Sequence, residues 1–92
     1  MLEGKVAVIT GSTDGIGLAI ARVLASQRAS IMLNGFGDPS AIETLRHEIS
    51  EQYGVTVAYC AADLTNASEA AALIETATRA LGQVDILVNN AG

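Results

Sequence analysis

Short apolar runs and longer amphipathic stretches take turns along this chain. The first run, Val6-Ala7-Val8-Ile9, is apolar at every position, as in a central strand covered by helices on both faces. Across 16–24, Ile16, Ala19, Ile20, Val23 and Leu24 follow helical spacing, and this helix is expected to end near Gln27 or Arg28. Residues 29–33 form the second strand, closed by Asn34-Gly35-Phe36-Gly37. Asp38-Pro39 suits a helix start, and Ser40 with Glu43 offers an alternative capping box one turn in. Ile42, Leu45 and Ile49 make its apolar stripe, with Gly54 at the left-handed cap. His47 falls off that stripe and reads as a solvated surface residue.

The third strand spans 55–61 and leads into Asp63-Leu64-Thr65. Asn66 with Glu69 makes a further capping box. It opens a helix whose face is Ala67, Ala70, Ala71, Ile74, Ala77 and Leu81, and Gly82 ends it. The fourth strand, 84–88, runs straight into Asn89-Asn90-Ala91-Gly92.

This β-α-β-α-β-α-β alternation implies an α/β fold with parallel strands joined by right-handed crossovers. By analogy with doubly wound sheets, the expected strand order is 3-2-1-4, with a crevice between strands one and four. The unusual loops, 11–17, 34–38, Asp63-Leu64 and 89–92, all fall at the carboxyl ends of the strands. Such sheets bind ligands there.

The stretch Thr10-Gly11-Ser12-Thr13-Asp14-Gly15-Ile16-Gly17 joins the first strand to the first helix. Gly11 and Gly15 permit a tight crossover close to a diphosphate, and Gly17 lets the helix pack hard against the strands. Unpaired N–H groups of the first helical turn, with the macrodipole behind them, form an anion site. The spacing G-x-x-x-G-x-G departs from the G-x-G-x-x-G dinucleotide fingerprint, so taken alone the loop leaves tight packing open as the lesser alternative.

Ninety-two residues, half of them apolar, suffice for one small domain with a core. Five basic residues against ten acidic ones give a net charge of −5, and the basic residues are scattered. That excludes a nucleic-acid or anionic-membrane footprint. Cys60 is the sole cysteine, which precludes an internal disulfide and reads as a small buried hydrophobe. No run approaches membrane-spanning length and no leader pattern opens the chain, so a cytoplasmic location is expected.

Taken together, the motifs resemble the short-chain dehydrogenases/reductases. Residues 10–17 are similar to the T-G-x-x-x-G-I-G loop of that family, Asn89-Asn90-Ala91-Gly92 to its N-N-A-G signature, and Asp63-Leu64 to the acidic pair it sets against adenine. More narrowly, Leu33-Asn34-Gly35-Phe36-Gly37 with the glycine loop resembles the bacterial D-3-hydroxybutyrate dehydrogenases. The resemblance covers the whole chain and implies the N-terminal half of a Rossmann-type doubly wound sheet. Residues 1–92 would be its NAD-binding half-domain. The activity implied is hydride transfer between nicotinamide and a small hydroxy acid, 3-hydroxybutyrate or acetoacetate. A short-chain dehydrogenase for another alcohol or ketone stays open, as does a non-catalytic nucleotide-binding module.

The resemblance also implies residue roles. The backbones around Gly11, Ser12, Thr13, Gly15 and Ile16 would hold the pyrophosphate and its adjoining ribose. Phe36 would lie beside the adenosine ribose, Asp63 would accept from the adenine amino group, and Leu64 would pack near the ring. Asn90, Ala91 and Gly92 would line the path toward the nicotinamide ribose. Plainer roles stand beside these: Phe36 as a surface aromatic, Asp63 as a loop acceptor, and Asn89 and Asn90 as backbone binders between strands. The plainer role is preferred for Asn89 and the ligand role for Asp63.

Charge favours NAD over NADP, because a 2′-phosphate of about −2 wants Arg or Lys near the end of strand two. Residues 34–38 hold no basic side chain, and Asp14 adds a negative one in the loop. Asn34 stands where an acidic residue often follows strand two, so discrimination could rest on the missing cation alone. Two further departures are notable. Gln27-Arg28-Ala29 replaces the glycine often found after the first helix, leaving a different helix end open. The family's catalytic Ser, Tyr and Lys lie beyond the N-N-A-G motif, so no catalytic residue is assigned here; Tyr53 and Tyr59 do not precede a lysine at the Y-x-x-x-K spacing. The expectation is therefore a fragment, a truncated product or the ordered part of something larger, whose uncovered sheet edge favours association. The resemblance implies a homo-oligomer, a tetramer in the full-length family.

Overall fold

Four consecutive apolar residues can be buried together only where both faces of a strand are covered, and β1 (Val6–Ile9) meets that condition with every side chain buried. The computed structural model describes residues 1–90. It places β1 inside a four-stranded sheet of order β3-β2-β1-β4, the order expected from the alternation. All pairings are parallel. β2 (Ser30–Asn34) sets Ala7 beside Ile31 and Ile9 beside Leu33, and β4 (Ile86–Val88) sets Val8 beside Leu87. β3 (Val57–Cys60) lies outside β2.

The period-two pleat divides the core between two faces. Ala7, Ile9, Ile31 and Leu33 pack with Ala21 and Ala25 of α1 (Gly15–Ser26) and Ile49 of α2 (Pro39–Tyr53). Val8 and Met32 face the other way, against Leu73 and Ala77 of α3 (Ala67–Leu81). The helix at α1 is where its periodicity put it, but its buried face differs from the expected stripe. Gly17, Ala21 and Ala25 face the sheet, while Ile16 is 75% and Val23 62% exposed. Small residues win the inner face because they let the helix axis come close to the strands. Leu18, Ile20 and Leu24 pack at its margin.

Helix starts follow the capping chemistry. Asp38 caps α2 by accepting from Ala41 N at 3.0 Å, so the alternative start at Ser40 is not used. Asn66 caps α3 through Ser68 N and Glu69 N. Glu69 does not complete the box; its Oε1 instead accepts from Asp63 N at 2.9 Å. His47 sits exposed beside Glu51, with Nε2 3.0 Å from its carboxylate. Cys60 is free and half-buried against the second core face. β4 is shorter than expected because Asp85 turns its carboxylate to accept from Val6 N at 2.9 Å.

The end of α1 resolves the missing glycine. Ala29 N donates to Leu24 O and Arg28 N to Ala25 O, the paired bonds of a Schellman turn, and Arg28 takes the left-handed conformation itself, with φ 78°. Its guanidinium reaches Tyr53 O at 3.1 Å, tying the end of α1 to the end of α2. Arg28→Gly relieves the left-handed penalty at the expense of that exposed bond. It should therefore stabilise the fold by about 0.5 to 1 kcal/mol, read as a higher urea midpoint at unchanged slope.

Candidate functional site

The loops leaving the four strands are locked together before they form a surface. Ser12 lies fully buried. Its Oγ donates to Ile9 O at 2.7 Å and accepts from Asn34 N at 3.0 Å, while its own N–H donates to Asn34 O at 2.6 Å. Asn34 is 2% exposed, and both ends of its side-chain amide are bonded. Oδ1 accepts from Gly11 N at 3.2 Å, and Nδ2 donates to Cys60 O and Ala62 O, each at 3.1 Å. One amide thus joins the carboxyl ends of β1, β2 and β3. On the β4 side, Asn90 N donates to Thr10 Oγ1 at 2.9 Å and Asn90 Nδ2 to Gly11 O at 3.2 Å.

The first turn of α1 rises from this floor. Asp14 is its N-cap residue yet makes no side-chain cap bond, unlike Asp38 and Asn66. The amides at that end keep their anion-binding capacity. Gly17 lets the turn approach so closely. A Cβ there would stand 2.1 Å from Gly11 O and 2.7 Å from Asn90 Nδ2.

Above the floor is a cleft of about 780 Å³ at the carboxyl ends of the strands, within the range of small-molecule sites. Of the residues singled out from the sequence, Gly11, Thr13, Phe36, Asp63 and Leu64 line it. Gly15 and Ile16 belong to the adjoining helix turn and do not line the cleft. Ser12 lies beneath it with amide and hydroxyl already bonded. Asn89, for which backbone binding was the preferred role, lines the cleft; Asn90 donates its N–H to Thr10 Oγ1 and its side-chain amide to Gly11 O. Ala91 and Gly92 lie outside the described residues. Among the lining residues not proposed as cofactor ligands, Asn34 had one legible signal, a polar residue directly after the apolar run Ile31-Met32-Leu33.

The electrostatics are one-sided. Asp14 and Asp63 line the cleft, with no Lys, Arg or His beside them among the described residues. Asp63 Oδ1 accepts from Thr65 Oγ1 at 2.7 Å and Thr65 N at 3.0 Å. Those two donors hold its carboxyl below the ordinary carboxylate range, so it is ionised throughout the neutral range. Phe36 stands 65% exposed at the cleft.

A parallel sheet of this order, with its cleft at the strand carboxyl ends, defines a Rossmann-type α/β protein. The chain belongs to the short-chain dehydrogenase family, whose model matches residues 5–92. A D-beta-hydroxybutyrate dehydrogenase of Rhizobium meliloti is 52% identical over 88 residues, covering 96% of this chain and 34% of that protein. One of Cupriavidus necator is 48% identical over 93 residues, covering 100% and 35%. Among solved structures, the L-sorbose reductase of Gluconobacter frateurii, complexed with NADPH and L-sorbose, superposes with TM-score 0.89 at 41% identity. That match covers 99% of this chain and 34% of the reductase. The chain therefore spans about a third of the length of these relatives.

Two substitutions test the floor. Gly17→Ala forces the backbone of the glycine loop apart and should destabilise by about 3 kcal/mol, the upper end for an overpacked site. Asn34→Ala leaves Gly11 N, Cys60 O and Ala62 O without their partner, and should cost about 2 to 4 kcal/mol. Chemical denaturation measures both.

Proposed function

We propose that residues 1–92 are the NAD-binding half-domain of an oxidoreductase that transfers a hydride between nicotinamide and a small hydroxy acid, 3-hydroxybutyrate in one direction and acetoacetate in the other. The observation that carries the cofactor reading is the lining of the cleft, which pairs two carboxylates with an uncapped helix turn and offers no cation to a 2′-phosphate. Two solved relatives carry NADPH or NADP; the preference for NAD here rests on the missing cation in this cleft. The substrate reading draws on the two D-beta-hydroxybutyrate dehydrogenases, which are more similar in sequence than the sorbose reductase.

The residues present fit a dinucleotide. The open first turn of α1, with the backbone of Gly11, Thr13, Gly15 and Ile16, would hold the pyrophosphate. Phe36 would flank the adenosine ribose, Asp63 would accept from the adenine amino group, and Leu64 would pack against the ring. Asn90, Ala91 and Gly92 would stand toward the nicotinamide ribose. Ser12 fits the floor better than the ligand, because its donors already have partners. The nicotinamide, when bound, supplies the hydride acceptor; this chain's residues bind and orient it. No helix among the described residues is long and apolar enough to cross a membrane, and a cytoplasmic homo-oligomer, tetrameric as the family resemblance implies, completes the reading.

Calorimetric titration with NAD and NADP, followed by an assay of 3-hydroxybutyrate-dependent NADH formation on the intact protein, tests this. NAD should bind at least about tenfold more tightly than NADP, the effect of one unmatched phosphate charge, and NADH should form. Tighter binding of NADP would overturn the cofactor reading. NAD binding without turnover on the hydroxy acid, but with turnover on a sugar or another alcohol, would overturn the substrate.

A further inference from the structure

The loop after β2 is fastened from two sides. Tyr59, on β3, donates its phenol to Gly35 O. From the glycine loop, Thr13 Oγ1 reaches Phe36 O at 3.5 Å, and the two segments are in such contact that a Cβ on Gly35 would stand 2.5 Å from that hydroxyl. Asn34, the side chain at the position where a ribose-binding carboxylate would be expected, is buried and holds three backbone groups. Both of its amide hydrogens are spent on carbonyls, so it offers a ribose no donor. What faces the ribose end of the cleft is therefore the neutral stretch Gly35-Phe36, and its position is set by Tyr59 and Thr13.

We infer that Tyr59 is a positioning residue for cofactor choice, holding the Gly35-Phe36 backbone where it accepts a ribose with a free 2′-hydroxyl and crowds one carrying a 2′-phosphate. This rests on the reading of the cleft as an NAD site. Specificity is a difference between two affinities, and it can come from a fixed wall as well as from an attractive charge. With the carbonyl of Gly35 clasped, a hydroxyl meets prearranged backbone groups. A phosphate needs the wall to retreat and finds no cation behind it. Burial raises the phenol of Tyr59 above its ordinary range, so it remains a protonated donor at neutral and mildly alkaline pH. Its ring also packs against the first core face, and Tyr59→Phe removes the clasp while keeping that packing.

The test is Tyr59→Phe in the intact protein, with dissociation constants for NAD and for NADP measured beside a thermal melt. The expected result is a loss of about three- to tenfold in NAD affinity, the effect of one hydrogen bond. NADP affinity should change less than about twofold or improve, so the preference narrows. Equal losses for both cofactors would overturn the inference, because a merely structural tyrosine weakens both alike. Unchanged constants would overturn it as well. If the wild-type protein binds neither dinucleotide, the underlying reading fails first and this inference with it; if wild type prefers NAD and the variant keeps that preference, only the inference fails.

Discussion

The architecture of the cleft depends on one buried amide. Parallel strands end side by side, each releasing a loop whose backbone groups have lost their ladder partners, and those groups must be satisfied out of reach of water. Asn34 does this for three strands at once, since a carboxamide both donates and accepts. It takes an N–H from the loop after β1 and gives two to carbonyls at and beyond the end of β3. Aspartate has the same shape but lacks the donors, and would face two carbonyl oxygens with a negative charge. The buried position thus selects the amide over the acid, which explains the departure noted at the end of β2.

With the floor closed by side chains, the first turn of α1 is released from the same duty. Gly17 brings that turn onto Gly11, and the turn is left without the side-chain cap that the other helices have. Its N-cap residue, Asp14, lines the cleft. Packing and recognition are linked here, because the contact that needs a glycine is also the one that aims the helix end.

The sheet order, helix count and most caps were legible because they follow from local chemistry: period, capping side chains and terminating glycines. The buried face of α1 was not. Ile16 and Val23 have helical spacing and strong apolar character, yet the sheet takes Gly17, Ala21 and Ala25, since close approach depends on the volume of the opposing surface and not on hydrophobicity along one chain. Which of Asn89 and Asn90 lines the cleft and which bonds to Gly11 was not legible for a similar reason. Neighbouring residues at a strand end point to opposite sides, and which of them meets Gly11 depends on the register between β1 and β4. Arg28 was visible as an anomaly, but a left-handed arginine is tolerated only because a Schellman turn and a bond to α2 surround it.

An acidic protein with two carboxylates in its cleft must still attract a dianionic pyrophosphate if the proposed function holds, and short range reconciles the two. The helix terminus acts like about half a positive charge over its first turn, whereas net charge is screened beyond roughly 8 Å at physiological salt. Asp63 is held by Thr65 at the β3 side of the cleft, across from the glycine loop. Its charge is then available to a ligand's amino group without opposing the phosphates directly. Asp14 is the nearer of the two, and its exposed carboxylate keeps most of its field in water. Under that reading the helix end takes one pyrophosphate, while a further phosphate farther along the cleft would meet the carboxylates with no Lys, Arg or His among the described lining residues.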